Sequence, residues 1–299
     1  MKVSILMLVV PTLLFFGGPT SAQELDQIQI ETVPVADGVF MLVGSGGNIG
    51  VSVGQDGVLL IDTQFEELSE KIEAAISKLN DGPVRFVLNT NWHYDHVRGN
   101  AHFAEAGATI VAHETSRARM MTDQSHPFLE MEVPAYPGNA LPSLTFTDEL
   151  VFHFNDDVIH AFHIEGAHSD ADLAFHFRTA NVLHTGDLFF EGGYPFIDVP
   201  HGGSIDGMIA AADRLLGMVD DNTKLIPGHG SLSDRRGLQG YREMLATVRD
   251  RIAQQIKEGK SLEEIVGSKP TADFDRGMDS WMPADDFVRI VYNDLSKRS

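Results

Sequence analysis

The chain has 299 residues, 22 of them Lys or Arg against 43 Asp or Glu, a formal charge of −21, and 43% hydrophobic residues. That acidity disfavours nucleic acid and anionic membrane surfaces as partners and keeps the chain soluble, leaving a small-molecule substrate as the expected ligand. Cysteine is absent, which excludes disulfides, a thiol nucleophile and a lipid-modified N-terminal cysteine.

The N-terminus carries Lys2, an almost uninterrupted apolar run over 3–16, and then Gly17, Gly18, Pro19, Thr20, Ser21 and Ala22. This is the layout of a signal peptide cleaved after Ala22, with residues 1–22 removed on export to the periplasm or medium. The run is shorter than the ~20 residues that span a bilayer, so no membrane attachment is expected after cleavage. Residues 23–299 contain no Pro/Ser-rich linker, repeat or low-complexity tract and are expected to form one domain.

Strand patterns over 39–43, 49–53 and 58–61 are separated by glycines. The period then changes to helical over 66–79, and the apolar run 84–88 predicts a buried strand. The second half has strand patterns at 150–154, 158–164, 173–177 and 182–184, a helix at 205–218, a strand at 224–226, and helices at 235–258, 262–266 and 285–295. Strands followed by helix in each half predict an α/β fold of two sheets packed face to face with helices outside. Ligands are expected on loops at one sheet edge.

Directly after the 84–88 strand comes Asn89-Thr90-Asn91-Trp92-His93-Tyr94-Asp95-His96. His93, Asp95 and His96 cannot all point one way from regular structure, and together they suit a loop wrapped around an ion. Three later segments each place one ligand-type residue at a strand end amid glycine: Gly166-Ala167-His168, Thr185-Gly186-Asp187 and Pro227-Gly228-His229-Gly230. Glycine there lets the backbone turn sharply and approach an ion.

In these residues the chain resembles the metallo-β-lactamase superfamily. Its His-x-His-x-Asp-His signature is matched at His93, Asp95 and His96 and broken at the first position by Asn91. The resemblance extends over nearly the whole mature chain, including Gly46-Gly47-Asn48, the turn at Asp62 and Val291-Tyr292. It implies an αββα sandwich of two mixed sheets. One metal would be held by His93, His168 and the Asn91 position, and a second by Asp95, His96 and His229, with Asp187 bridging. Zinc is the default for such donors, with iron and manganese open. The implied chemistry is hydrolysis by a metal-activated water, with Asp95 orienting that water and shuttling its proton. Ser169 and Thr185 are expected to support the ligands rather than attack substrate.

Asn91 is the main departure. A neutral amide oxygen is a weaker donor than imidazole, so the first site is expected to be weak and the Asp95/His96/Asp187/His229 site to fill first. One β-lactamase subclass also has Asn here, but with Cys at the Asp187 position and a basic residue at the His96 position. β-Lactamases often carry a lysine three residues after Asp187 to grip the antibiotic's carboxylate, and this chain has Phe190. Tyr194 and His201, on the glycine-rich loop 191–204, are candidate substrate contacts. His126, with Phe128 and Met131 in a Pro-flanked stretch, belongs either to a pocket lid or to apolar surface packing. His102, His113, His153, His160, His163, His176 and His184 lack ligand context and are expected to be structural.

The leading expectation is a zinc-dependent hydrolase of cyclic amides, with modest β-lactamase activity. A hydrolase of lactones, esters or thioesters stands second. An iron-dependent oxidoreductase and a non-catalytic binding protein on the same fold stand behind it.

Overall fold

The computed structural model describes residues 25–276 and 281–297, and the expected signal peptide at 1–22 lies outside them. Strands β1 (Glu31–Ala36), β2 (Val39–Val43), β3 (Ile49–Gly54), β4 (Gly57–Ile61), β5 (Val84–Leu88) and β6 (Thr109–His113) lie side by side in chain order. Strands β7 (Gln124–His126) and β8 (Met131–Val133) form a separate hairpin, and β9 (Leu144–Phe146) joins the first sheet beside β6. The second sheet runs β10 (Glu149–Phe154), β11 (Asp157–His163), β12 (Leu173–Phe177), β13 (Val182–Phe190), β14 (Lys224–His229) and β15 (Ser233–Asp234). Both sheets are mixed. The β4–β5, β5–β6, β6–β9 and β13–β14 pairs are parallel and the others antiparallel.

The period-2 alternation explains the layering. In β4, Leu59 and Ile61 face the second sheet and pack with Phe175, Phe177 and Ile226. Val58 and Leu60 face outward onto the helix Ser69–Ile76 through Leu68, Ile72 and Ile76. On the second sheet, Leu183 and Leu225 face the helices Ile205–Leu216 and Arg235–Lys257, meeting Met208, Leu215, Leu245 and Val248. Two sheets packed face to face, each covered by helices on its outer face, give four layers, the αββα sandwich.

Several elements differ from the expectation. The 182–184 strand continues to Phe190 and the 224–226 strand to His229, so His229 stands at a strand end as expected, whereas Asp187 lies inside its strand. The β13–β14 register is irregular between His184 and Gly186 and again before Phe190, and such irregularities re-aim side chains beside a site. Strands β1, β6 and β9 and the helices Asn100–Glu105 and Glu114–Met120 are not among the expected elements; β9 has only three residues, and β1 carries Pro34 on a sheet edge. The 66–79 helix is a 3-10 turn, Glu66–Leu68, followed by Ser69–Ile76. Within the 89–96 loop, Tyr94–Val97 forms one helical turn, with His93 extended at its N-cap.

Candidate metal centre

Ligands arrive from both sheets at one edge. The segment after β5 supplies His93, Asp95 and His96. The second sheet supplies His168 from the loop before β12, Asp187 from β13 and His229 from β14. Among the described residues, His93, His168 and Asp187 form one group able to hold a cation, and Asp95, His96 and His229 form another, with ligand atoms all within 4.8 Å in each. Asp187 lies between them. Its Oδ2 is 3.1 Å from His96 Nε2 and 3.4 Å from His168 Nε2, and its Oδ1 is 3.4 Å from His229 Nε2. Asp95 Oδ2 is 3.3 Å from His229 Nε2 and 3.6 Å from His96 Nε2.

Carboxylates behind the histidines decide which ring nitrogen faces inward, since a carboxylate can only accept. Asp62 Oδ2 lies 2.8 Å from His96 Nδ1, fixing the proton there and aiming the Nε2 lone pair at the centre. Asp62 is held in turn by Thr90, whose backbone N–H donates to Oδ1 at 2.8 Å and whose hydroxyl donates to Oδ2 at 2.6 Å. Asp172 accepts from the backbone N–H groups of His168 and Ser169 at 2.8 Å and from the Ser169 hydroxyl at 2.6 Å, with His168 Nδ1 at 3.4 Å. His93 Nε2 donates to Asp198 Oδ2 at 2.9 Å, which leaves Nδ1 as its lone-pair nitrogen.

Close approach is enforced by glycine at two positions. A Cβ on Gly228 would stand 2.0 Å from Asp187 Oδ1, and one on Gly47 would stand 2.3 Å from His96 Cε1. No side chain fits at either.

The charges match a cation. Burial works against the charged form of Asp187, yet His96, His168 and His229 hold its carboxyl well below the usual carboxylate range. Burial also opposes protonation of His96, but Asp187, Asp95 and Asp62 drive its pKa well above the ordinary value. Asp95 is lowered to about 2, with burial opposing and His96 and His229 prevailing. His96 Nε2 and Asp187 Oδ1 are buried without any hydrogen-bond partner, and leaving such groups unpaired costs about 1–3 kcal/mol each. Convergent imidazole nitrogens and carboxylate oxygens fit a divalent transition metal of the zinc type.

Other expected site residues lie elsewhere. Asn91 is buried, but its Oδ1 accepts from the His93 backbone N–H at 2.8 Å, so the oxygen expected to be a weak donor braces the turn that carries His93. Tyr194, expected at the pocket rim, has its ring buried and stacked on Phe287 at 5.1 Å, and donates its hydroxyl to the exposed Asp275 Oδ1 at 2.7 Å. Its apolar ring outweighed its loop position. His201 is also buried, with Nδ1 2.8 Å from both Asp198 oxygens and its ring edge-on to Trp92. His126 packs inward, stacked on Trp92 at 5.3 Å. Ser169 supports Asp172 as expected, whereas Thr185 bonds backbone carbonyls of Gly186 and Ile226.

Sequence reasoning missed Asp198 and Asp172 altogether. Asp172 stands four residues after His168, a spacing that a search for second carboxylates would have found. Asp198 contacts His93 across 105 positions, with no local signal beyond its place in a proline- and glycine-rich loop.

The model of the metallo-beta-lactamase superfamily matches residues 42–229, which include every residue of the two metal groups. The chain belongs to the metallo-β-lactamase superfamily, a superfamily of metallo-hydrolases. Among solved structures, the sec-alkylsulfatase Pisa1 from Pseudomonas sp. matches with a TM-score of 0.64 and 17% identity over 91% of this chain and 51% of that one. The chain thus spans about half the length of that sulfatase. The metallo-beta-lactamase from Pontibacter korlensis matches with a TM-score of 0.61 and 18% identity, over 73% of this chain and 99% of that one. The DIM-1 metallo-beta-lactamase gives 0.57 and 18%, over 74% and 99%. At these identities the likeness is one of fold.

Proposed function

We propose that the chain is a zinc-dependent hydrolase that opens cyclic amides, with slow turnover of β-lactams. The observation that carries the hydrolytic reading is the placement of two carboxylates of unequal exposure between imidazoles. Asp187, with its side chain 4% exposed, touches three imidazoles, while Asp95, 17% exposed, touches two. Asp187 is therefore suited to holding charge between two cations, and Asp95 to meeting substrate and water. Zinc, bound by these residues, supplies a Lewis acid and a water acidic enough to ionise near neutral pH. His93 Nδ1, His168 Nε2, His96 Nε2 and His229 Nε2 orient toward the centre. Asp95, ionised because His96 and His229 hold its carboxyl at about 2, accepts a proton at Oδ2 and can pass it to the leaving nitrogen or oxygen.

Phe190 bears on the substrate. Its ring stacks on His229 at 5.0 Å and 15°, so the position where β-lactamases often hold a lysine offers a carboxylate nothing. This favours neutral carbonyl substrates and supports a second reading, hydrolysis of lactones, esters or thioesters on the same residues. Export through the 1–22 leader would place the enzyme in the periplasm or medium.

The test is a rate panel on the zinc-loaded protein, comprising a penicillin, a carbapenem, an acyl lactone, a glutathione thioester and a secondary alkyl sulfate. Turnover of a carbonyl substrate that is lost in Asp95→Asn supports the reading. No turnover anywhere, or iron as the metal that co-purifies, would overturn it, the latter in favour of oxidoreductase chemistry.

A further inference from the structure

Beside His93, three histidines surround one carboxylate, Asp198, whose backbone N–H also donates to the His168 carbonyl at 2.9 Å. Asp198 Oδ2 lies 2.9 Å from His93 Nε2 and 3.4 Å from His126 Nδ1, and both Asp198 oxygens lie 2.8 Å from His201 Nδ1. Asp198, His93 and His126 are all buried, and their ligand-capable atoms lie within 4.8 Å of one another. The hydrogen bond from His93 accounts for part of this arrangement. It does not account for His126, whose Nδ1 lies 3.4 Å from Asp198 Oδ2 and whose Nε2 is buried without a hydrogen-bond partner.

The two Asp198 spacings are compatible with a coordination site. Donors on one tetrahedral zinc, with bonds of about 2.0–2.1 Å, lie roughly 3.3 Å apart, and the Asp198 contacts of 2.9 and 3.4 Å bracket that value. The site has its own entrance, a cavity of about 260 Å³ lined by His126, Phe128, Phe196, Asp198, Val199 and Lys297 among others.

We propose that His93, His126 and Asp198 form an alternative cation site, which competes with the His93–His168–Asp187 group for the single lone pair of His93. This rests on the reading of the chain as a zinc protein. A neutral imidazole carries one lone pair, on the nitrogen that lacks the proton. With the proton on Nε2, His93 serves the His168 side and Asp198 accepts a hydrogen bond. With the proton moved to Nδ1, Nε2 serves the Asp198 side. Each position then offers two imidazoles and one carboxylate. Asn91 is what brings them level, because a third imidazole at that position would favour the His168 side, whereas its amide oxygen is engaged by the His93 N–H.

The test counts zinc retained by the purified full chain after titration with Zn²⁺ alone and gel filtration, with circular dichroism as the check on folding. Wild type, His168→Gln, His126→Gln and the double variant are compared. The proposal expects two ions in wild type, two in His168→Gln because the ion moves to Asp198, and one in the double variant. An equal loss in His168→Gln and the double variant overturns it, as does a wild type that binds one ion and keeps it in His126→Gln. A wild type that binds none removes the zinc reading as well, which separates the two failures. Anomalous scattering from zinc-soaked His168→Gln crystals gives a readout independent of affinity. A peak bonded to His126 and Asp198 supports the proposal, and zinc bound in the crystal with no such peak overturns it.

Discussion

A single carboxylate, Asp62, decides which nitrogen of His96 carries the proton, and this makes a sharp test possible. Asp62 has φ 66°, a left-handed conformation that asparagine tolerates nearly as well. Asp62→Asn therefore keeps the backbone but turns an amide N–H toward His96 Nδ1, moving the ring proton to Nε2, where the ion belongs. Zinc affinity at the Asp95/His96/His229 group should fall about 10- to 100-fold, measured by competition with a chromogenic chelator, with the fold intact by circular dichroism. Asn91→His should act in the opposite sense, tightening the ion on the His93 and His168 side by about tenfold or more, or ~1.4 kcal/mol; an unchanged zinc titration would refute it. His184 is the residue to watch on acidification. Burial lowers its pKa to about 4, and its neutral ring is used on both sides, Nε2–H donating to Asn48 O and Nδ1 accepting from Gly186 N. The unfolded chain takes up this proton near pH 6.5 and the folded chain does not. Stability from this group is therefore complete above pH 6.5 and is lost as pH falls toward 4, at up to ~1.4 kcal/mol per unit. Urea titrations of metal-free protein should show His184→Gln with the shallower decline over that range. At this scale the sequence was informative wherever a ligand type stood beside glycine, as at His168, Asp187 and His229. It was silent on Asp198 and on the inward packing of His126, because partners so far along the chain leave no periodic trace.

The strands β13 and β14 deliver Asp187 and His229 side by side, and their parallel pairing is interrupted at Gly186. Gly186 and Pro227-Gly228 interrupt the apolar pattern, which is why the strands read as ending at 184 and 226 when each continues into the site. The layered architecture was legible because β4, β5, β13 and β14 have strong apolar patterns. Strands of three residues such as β7, β8 and β9 hold too few positions for a period to emerge. The pairing also explains the demand for glycine at 228, since the β14 backbone passes directly over Asp187. Gly228→Ala should force the two strands apart or turn the Asp187 carboxylate aside, costing about 1–3 kcal/mol as overpacking does and removing at least one bound zinc. Elemental analysis and thermal melts on the same sample would check both, and an alanine variant with full metal content would show that the strands can yield.

Across the whole molecule, the two sheets meet through apolar side chains and, at one edge, through the ligands. Asn48 of the first sheet's edge loop adds amide hydrogen bonds to Pro227 O and Gly230 O on the second, at 3.0 and 2.9 Å. A zinc ion held by these residues would bind only when both sheets are in register, and binding to the folded state alone would stabilise it by about 2.7 kcal/mol at a free zinc concentration a hundred times the Kd. Thermal melts should rise on adding Zn²⁺ and fall on adding a chelator, and equal melting temperatures would mean that the ligands do not bridge the sheets. With half the ligands on each sheet, the centre also becomes a gauge of how often the sandwich opens. Amide hydrogens on β5 and on β14 should exchange at independent rates in the apo protein and slow together once zinc is present, because the two layers can then part only by letting go of the same ion.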